Sequence, residues 1–335
     1  MARSPATSSV TFQRRKPVRG SLVWWLRFLG IVAFVILLLR LPKSQDVTVA
    51  HMDLRWIGFC MLLTIAQLLL EAFVWQWLLS RQHIRYPYPK TVLAYLSSHY
   101  LGLVTPGHVG EFLAAGYISV DTGITFGYAL SSVVMKKILN WIIVMGFGVW
   151  GFPLVAKMPI LKGVQWIVVT GVAVLVILAS GIGLWVVSLR RLTKKWEKLS
   201  PWRVDMTEFW AGMRSLVSVQ LLIPLGVSAL SFSILFLQLD AVLRALGISL
   251  HLLVLAQVVA FSRIVARLIP LSVMGLGSKD VTVIRLLAQE GVNPLVGLTA
   301  TLLLLMSSYL LTLLLSGLCW WIKPLVIRRV QATSP

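Results

Sequence analysis

Six apolar runs, at about 21–41, 54–80, 124–150, 164–189, 216–239 and 295–321, dictate what this chain can become. About twenty predominantly apolar residues, wound as an α-helix, cross the ~30 Å hydrocarbon core of a bilayer. Inside that core every backbone N–H and C=O must be paired within protein, so runs of this length read as spanning helices. The predicted fold class is therefore an all-α polytopic membrane protein. Only 13% of the residues are charged and 58% are hydrophobic, whereas soluble domains carry roughly 25% charged residues. A soluble α/β enzyme could not hide so much apolar surface.

Two further apolar stretches, about 90–120 and 251–289, are interrupted at their centres. The first break reads Leu103-Val104-Thr105-Pro106-Gly107-His108-Val109-Gly110-Glu111. The second runs from Leu268 through Pro270, Gly275 and Gly277 to Lys279 and Asp280. The arms around the first break are about 12–16 residues long, short for a full crossing at ~1.5 Å per residue. Broken backbone at membrane depth persists only where protein buries it or a wet cavity lines it. Each stretch is read as a re-entrant helical hairpin.

The breaks match one another. Pro106 and Pro270 open them, Glu111 and Asp280 close them 169 residues apart, and Gly123 and Gly291 follow eleven or twelve residues later. Ser98-His99 precedes Pro106 by eight and seven residues, as Ser262-Arg263 precedes Pro270. Three spans separate the copies, so the second is upside down, with repeat halves at about 54–150 and 216–321. Inverted repeats with broken helices are a recurring transporter architecture. Proline and glycine kinks are common in membrane helices, so one break alone carries little; the argument rests on the matched pair.

Net charge is +20, with 31 Lys plus Arg against 11 Asp plus Glu. In a membrane chain, basic loops obey the positive-inside rule and touch anionic lipid, so no nucleic-acid partner is implied. With the N-terminus in the cytoplasm, the segments 1–20, 81–90, 190–214 and 323–335 hold 18 basic residues, and the outer loops hold 5. That bias predicts a plasma (inner) membrane location, multi-pass, with both termini cytoplasmic. Arg14, Arg15, Lys16 and Arg19 precede the run from Ser21 like a signal peptide's charged region. No small-residue cleavage site follows, so that run is read as a retained first span. The domains are a basic segment 1–20, one transmembrane domain 21–322 with its basic loop 190–214, and a tail 323–335. Ten of the fourteen tryptophans, Trp24, Trp56 and Trp320 among them, fall near span ends and read as an interfacial aromatic belt. The basic stretch 190–203 reads as an interfacial amphipathic segment.

Intramembrane ionisable groups are costly and mark function by default. Here they include Glu71, His99, His108, Glu111, Lys136, Lys137, Asp240, Arg263, Arg267, Lys279, Asp280 and Arg285. Glu111 and Asp280 each follow a glycine-rich break, where a carboxylate either caps a helix N-terminus or faces a central cavity. Arg263 and Arg267, four residues apart, share a helix face and suit bidentate phosphate binding; the alternatives are pairing with Asp280, Glu111 or Asp240, or snorkelling. Lys137, with Asn140 nearby in the same span, could add positive charge to that cavity, or the Lys136-Lys137 pair could meet Glu71. The breaks (Pro106, Gly107, Gly110, Pro270, Gly275, Gly277) could leave backbone N–H groups free for anions. No nucleophile motif, P-loop or metal-ligand cluster occurs, so neither an enzyme nor a cofactor is expected. Cys60 and Cys319 have no disulfide or metal spacing.

At Pro106-Gly107-His108-Val109-Gly110-Glu111 and Gly123, then Pro270, Gly275-Leu276-Gly277, Asp280 and Gly291, the sequence resembles the flippase-like transmembrane domain family of lysylphosphatidylglycerol synthases. The resemblance covers about Leu22 to Arg329. In that family an acidic-Arg-x-x-Asp pattern is usual in the span after the first motif; the matching positions here are Lys136, Lys137 and Asn140, and Asp280 stands where Glu is usual. These departures put proton coupling by that span in question and make the cavity more positive, which suits an anionic substrate. In bifunctional relatives the domain flips an aminoacylated lipid made by an attached synthase domain. Only about fourteen residues follow Trp321 here, so a stand-alone member is expected, and such members are linked with envelope lipid, hopanoid or polysaccharide pathways.

The resemblance and the residues together imply a lipid-translocating transporter for an amphipathic, phosphate-containing lipid, with an anionic or polyprenyl-phosphate-type headgroup. Arg263, Arg267 and Lys137 would hold its anionic part. Glu111, Asp280, His99 and Asn140 would complete the site. The alternative is a non-transporting lipid-binding partner of an envelope lipid or polysaccharide biosynthesis enzyme. A membrane enzyme acting on a lipid phosphate is the weaker third reading. Oligomeric state is not legible.

Overall fold

A computed structural model of the chain describes residues 52–156, 202–268 and 277–323. Among them every regular element is helical. The expected spans 21–41 and 164–189, residues 190–201 of the basic loop, the tail beyond Lys323, and Pro270 and Gly275 of the second break lie outside the described residues.

The other four expected spans are long apolar helices, at Leu54–Arg81, Phe126–Gly151, Val219–Ala245 and Pro294–Ile322. In chain order the helices are α1 (Leu54–Arg81), α2 (Tyr88–Val104), α3 (Ala114–Thr122), α4 (Phe126–Ala156), α5 (Trp202–Leu216), α6 (Leu222–Ala245), α7 (Leu252–Leu268), α8 (Ser278–Gln289), α9 (Pro294–Leu304) and α10 (Leu311–Ile322). A 3-10 segment, Pro106–Leu113, joins α2 to α3, and a π turn, Leu305–Leu310, joins α9 to α10 into one rod.

Local sequence sets the ends. Asp53 caps α1 by accepting from the Arg55 N–H, and Asn293 caps α9 by accepting from Leu295 N–H ahead of Pro294 at the first position, the usual N-terminal chemistry. Gly123 and Gly291 follow α3 and α8 with φ of 74° and 85°. That left-handed backbone is costly for a residue with a Cβ, which is why both short helices stop there.

The core has two main apolar clusters at opposite ends of α1. At its start, Trp56, Ile57 and Cys60 meet Leu239, Val242 and Leu243 of α6, Leu255 of α7, and Leu286 and Leu287 of α8. At its end, Trp75 and Leu79 meet Ile84, Tyr86 and Ala94 together with Ala115, Tyr117 and Ile118 of α3. Each broken segment therefore folds back so that both its ends lie at one end of α1, and the two do so at opposite ends. The Tyr86 hydroxyl donates to Asp121 at 2.5 Å, tying the entry of the first broken segment to its exit.

Helix contacts are reciprocal. α1 packs on α6, α4 packs on α7, and α10 packs on α2. Lipid gives apolar helices no reason to associate, so small residues and interhelical hydrogen bonds hold them. Gln238 of α6 donates to Thr64 and Gln67 of α1, each at 3.1 Å, and the Trp75 indole donates to Ser132 of α4 at 3.0 Å.

Candidate functional site

The first break is a tight 3-10 segment rather than an open loop. Thr105 stops α2 because Pro106 disfavours helical backbone before it, and its hydroxyl then accepts from the Gly110 N–H at 2.8 Å. Gly110 presses directly on the end of α2: a Cβ there would stand 2.2 Å from the Leu101 carbonyl carbon and 2.6 Å from Gly102 N. Both obstacles are backbone, so Gly110→Ala is expected to lower stability by about 1–3 kcal/mol or more, as overpacking does. Thermal unfolding in detergent checks this.

That close approach places Glu111 beside the last turns of α2. Its carboxylate takes an ion pair from Lys137 of α4 at 2.5 Å, and its Oε1 lies 3.3 Å from His99 Nδ1. The histidine contact is close enough for charge but poorly aligned for a hydrogen bond, and it leaves that buried nitrogen without a hydrogen-bond partner. His99 stacks on Tyr95, one turn earlier on α2, with ring centroids 5.7 Å apart.

One turn of space away is a second ion pair. Lys136 reaches Glu71 of α1 at 2.8 Å and lies 3.8 Å from the Tyr95 ring centroid. Ser231 of α6 donates to the other Glu71 oxygen at 3.0 Å. Adjacent lysines point about 100° apart on a helix, which explains why Lys136 and Lys137 serve different acids. In low dielectric each pair offsets a large desolvation cost, so this side of the interior is neutralised in place.

The second broken segment is different. Asp280 sits in the first turn of α8 and accepts from the Gly277 N–H at 3.1 Å, which makes it a helix cap. Lys279 lies 3.5 Å from Asp280 and 5.6 Å from the Tyr309 ring centroid in the π turn. Arg263 of α7 acts electrostatically on both Lys279 and Tyr309, and Tyr309 also feels Asp280 and Glu111. Tyr309 is thus within electrostatic reach of both broken segments. Arg263 is half-buried, and among the described residues no acid or hydrogen-bond acceptor pairs with it. Arg267 follows four residues later on α7, with its side chain outside the described residues.

Two expectations need correction. Free N–H groups at the breaks are not found at Gly110 or Gly277, because Thr105 and Asp280 already accept from them. Lys137 is not an uncommitted cation, because Glu111 neutralises it. Asn140 is half-buried one turn beyond Lys136 and has a partner of its own. Tyr95, Lys136, Lys279 and Tyr309 are the members sequence reasoning left out of the site. Lys136 and Lys279 are readable as intramembrane ionisable groups, and Tyr95 as a tyrosine one turn from His99 in an apolar helix. No group of three or more metal-ligating side chains occurs among the described residues.

No curated protein and no solved structure matches the chain. The family profile of the lysylphosphatidylglycerol synthase TM region does match, over residues 24–316. Helices built to cross a membrane, two broken segments and buried charge fit a membrane domain of that kind. The chain belongs to the family of the lysylphosphatidylglycerol synthase TM region.

Proposed function

We propose that this protein moves an amphipathic lipid with an anionic, phosphate-bearing headgroup between the leaflets of the plasma membrane. The observation that carries the reading is Arg263: a guanidinium inside an apolar helix, with no partner among the described residues and a second cation, Lys279, beside it. An unpaired intramembrane cation is too costly to persist without use, and a guanidinium binds phosphate oxygens in bidentate fashion. Arg267 lies on the same helix face and would join it. Family membership supports a lipid-related membrane role.

In this reading the two halves form an inverted repeat, with α1 to α4 answering α6 to α10. The reciprocal packing of α4 on α7 and α10 on α2 supports it. The headgroup sits between the broken segments near Tyr309, its phosphate on Arg263 and Arg267. The Glu111–Lys137 pair and His99, with Asn140 further along α4, meet the remaining polar groups of the headgroup. Basic-residue counts support a cytoplasmic location for both termini.

The test is lipid scrambling by the purified full chain in liposomes carrying labelled phosphatidylcholine, phosphatidylglycerol, lysylphosphatidylglycerol and polyprenyl phosphate. Faster transfer of the anionic classes than in protein-free liposomes is expected. Folded protein that moves none of them overturns the reading. Retained lipid binding in that case favours a non-transporting partner of an envelope biosynthesis enzyme.

A further inference from the structure

We propose that the seam between α2 and α10 is a lateral gate, held shut by Lys323 at the end of α10 and opened by a swing of α10 about the π turn. The seam itself is aromatic and shallow. Tyr100 and Trp320 stack with centroids 5.5 Å apart, and a Cβ on Gly317 would stand 3.4 Å from the edge of the Tyr100 ring.

What closes it is polar and sits at one end. The Lys323 ammonium pairs with the Asp121 carboxylate and donates to the Tyr86 hydroxyl at 3.0 Å. Tyr86 donates to the same Asp121 oxygen, and the Tyr117 hydroxyl donates to the Lys323 carbonyl at 2.9 Å. The latch thus joins the loop before α2, the end of α3 and the end of α10. Burial alone would raise the Asp121 pKa, but hydrogen bonds from Lys323 and Tyr86, with the charges of Lys323 and Lys90, hold it below the usual carboxylate value. The carboxylate therefore stays charged through the neutral range and the latch is closed by default. Lys323 and Asp121 are each about a quarter exposed. A pair so placed contributes little net free energy, because water replaces either partner readily.

Among the described residues the corresponding seam of the other half has no such device. There α4 meets α7 through glycine. A Cβ on Gly148 would stand 1.9 Å from the Ile264 side chain, and one on Gly151 would stand 2.9 Å from the Gln257 carbonyl. Interdigitation this close is lost if the helices part, so this seam stays shut. The α9–α10 rod, by contrast, is the least enclosed of the four long apolar helices. Its π turn supplies a weak point, since such turns concentrate at functional bends. Ser316 of α10 and Ser97 of α2 keep buried hydroxyls without partners. Unsatisfied buried polar atoms are rare, and water entering an open seam would satisfy them.

The seam also leads somewhere. Tyr309, beside the interior charges, lies fourteen residues before Lys323, or about 21 Å along the helix. A headgroup could pass between α2 and α10 over that distance while its acyl chains stay in lipid. This use of the gate rests on the translocation reading; its opening does not.

The test uses the full chain in liposomes with Cys60 and Cys319 replaced by Ala and one thiol introduced as Gly317→Cys. A thiol reacts as the thiolate and needs water to form it. N-ethylmaleimide labelling is expected to be slow, and about tenfold faster with Lys323→Met or Asp121→Asn. Tyr86→Phe, a milder change, should give a smaller rise if either charge variant fails to fold. Unchanged labelling in variants that unfold at the parent temperature overturns the gate, whether or not lipid moves. Faster labelling in a chain that moves no lipid keeps the gate and sinks the translocation reading. Where lipid does move, bridging Tyr100→Cys to Gly317→Cys with a short bis-thiol reagent should stop transfer. Transfer that continues across the bridged α2–α10 seam overturns the gate as the lipid route.

Discussion

Arg263→Ala is expected to lower transfer of anionic lipid about a hundredfold while leaving thermal stability equal to or slightly above the parent. Charge-assisted hydrogen bonds are worth about 1.5–3 kcal/mol each, so losing a bidentate pair accounts for the size of the effect. The stability expectation follows from the absence of a protein partner for Arg263 among the described residues. Removing that charge strands no acid and relieves repulsion from Lys279. Arg263→Lys keeps the charge without the planar fork, so it should lose about tenfold rather than a hundredfold. Scrambling rates and melting curves on the same preparations check both halves. A large fall in stability would mean that Arg263 is structural.

Lys136→Met is expected to do the reverse and destabilise the fold by about 3–5 kcal/mol. It leaves Glu71 charged among α1, α4 and α6 with Ser231 as its one hydrogen-bond donor among the described residues. Adding Glu71→Leu should restore most of the loss, because a buried pair replaced by apolar side chains is often neutral or better. Thermal unfolding of the single and double variants tests this. If the double variant is no better than Lys136→Met, the pair is not what holds these three helices in register.

The contrast between these two cations shows what sequence could and could not reveal. Run length identified four helices now described, and proline with glycine located both breaks, because each reflects a local backbone rule. The charge partners were not legible. Lys136 and Lys137 are neighbours in sequence, and only the facing of α4 against α1 and the 3-10 segment decides which acid each one meets. Arg263 and Lys137 looked alike as intramembrane cations; packing gave Lys137 an acid and, among the described residues, gave Arg263 none. The free N–H groups expected at Gly110 and Gly277 failed for a reason that was readable. Thr105 and Asp280 lie five and three residues away, within reach of a side chain folding back on the chain. Tyr309 was invisible because a tyrosine in an apolar run reads as ordinary lining.

The π turn at Leu305–Leu310 has a consequence for helical phase. A π turn amounts to one residue added to an α-helix, and one residue is worth about 100° of rotation. Removing a residue there would restore unbroken α-helix without shortening the apolar rod enough to matter. It would also turn all of α10 by more than a quarter revolution. Trp320 would swing off Tyr100, Gly317 would no longer face that ring, and Lys323 would leave the foot of the first broken segment. The single extra residue is thus what keeps α9 in step with α8 and, at once, α10 in step with α2.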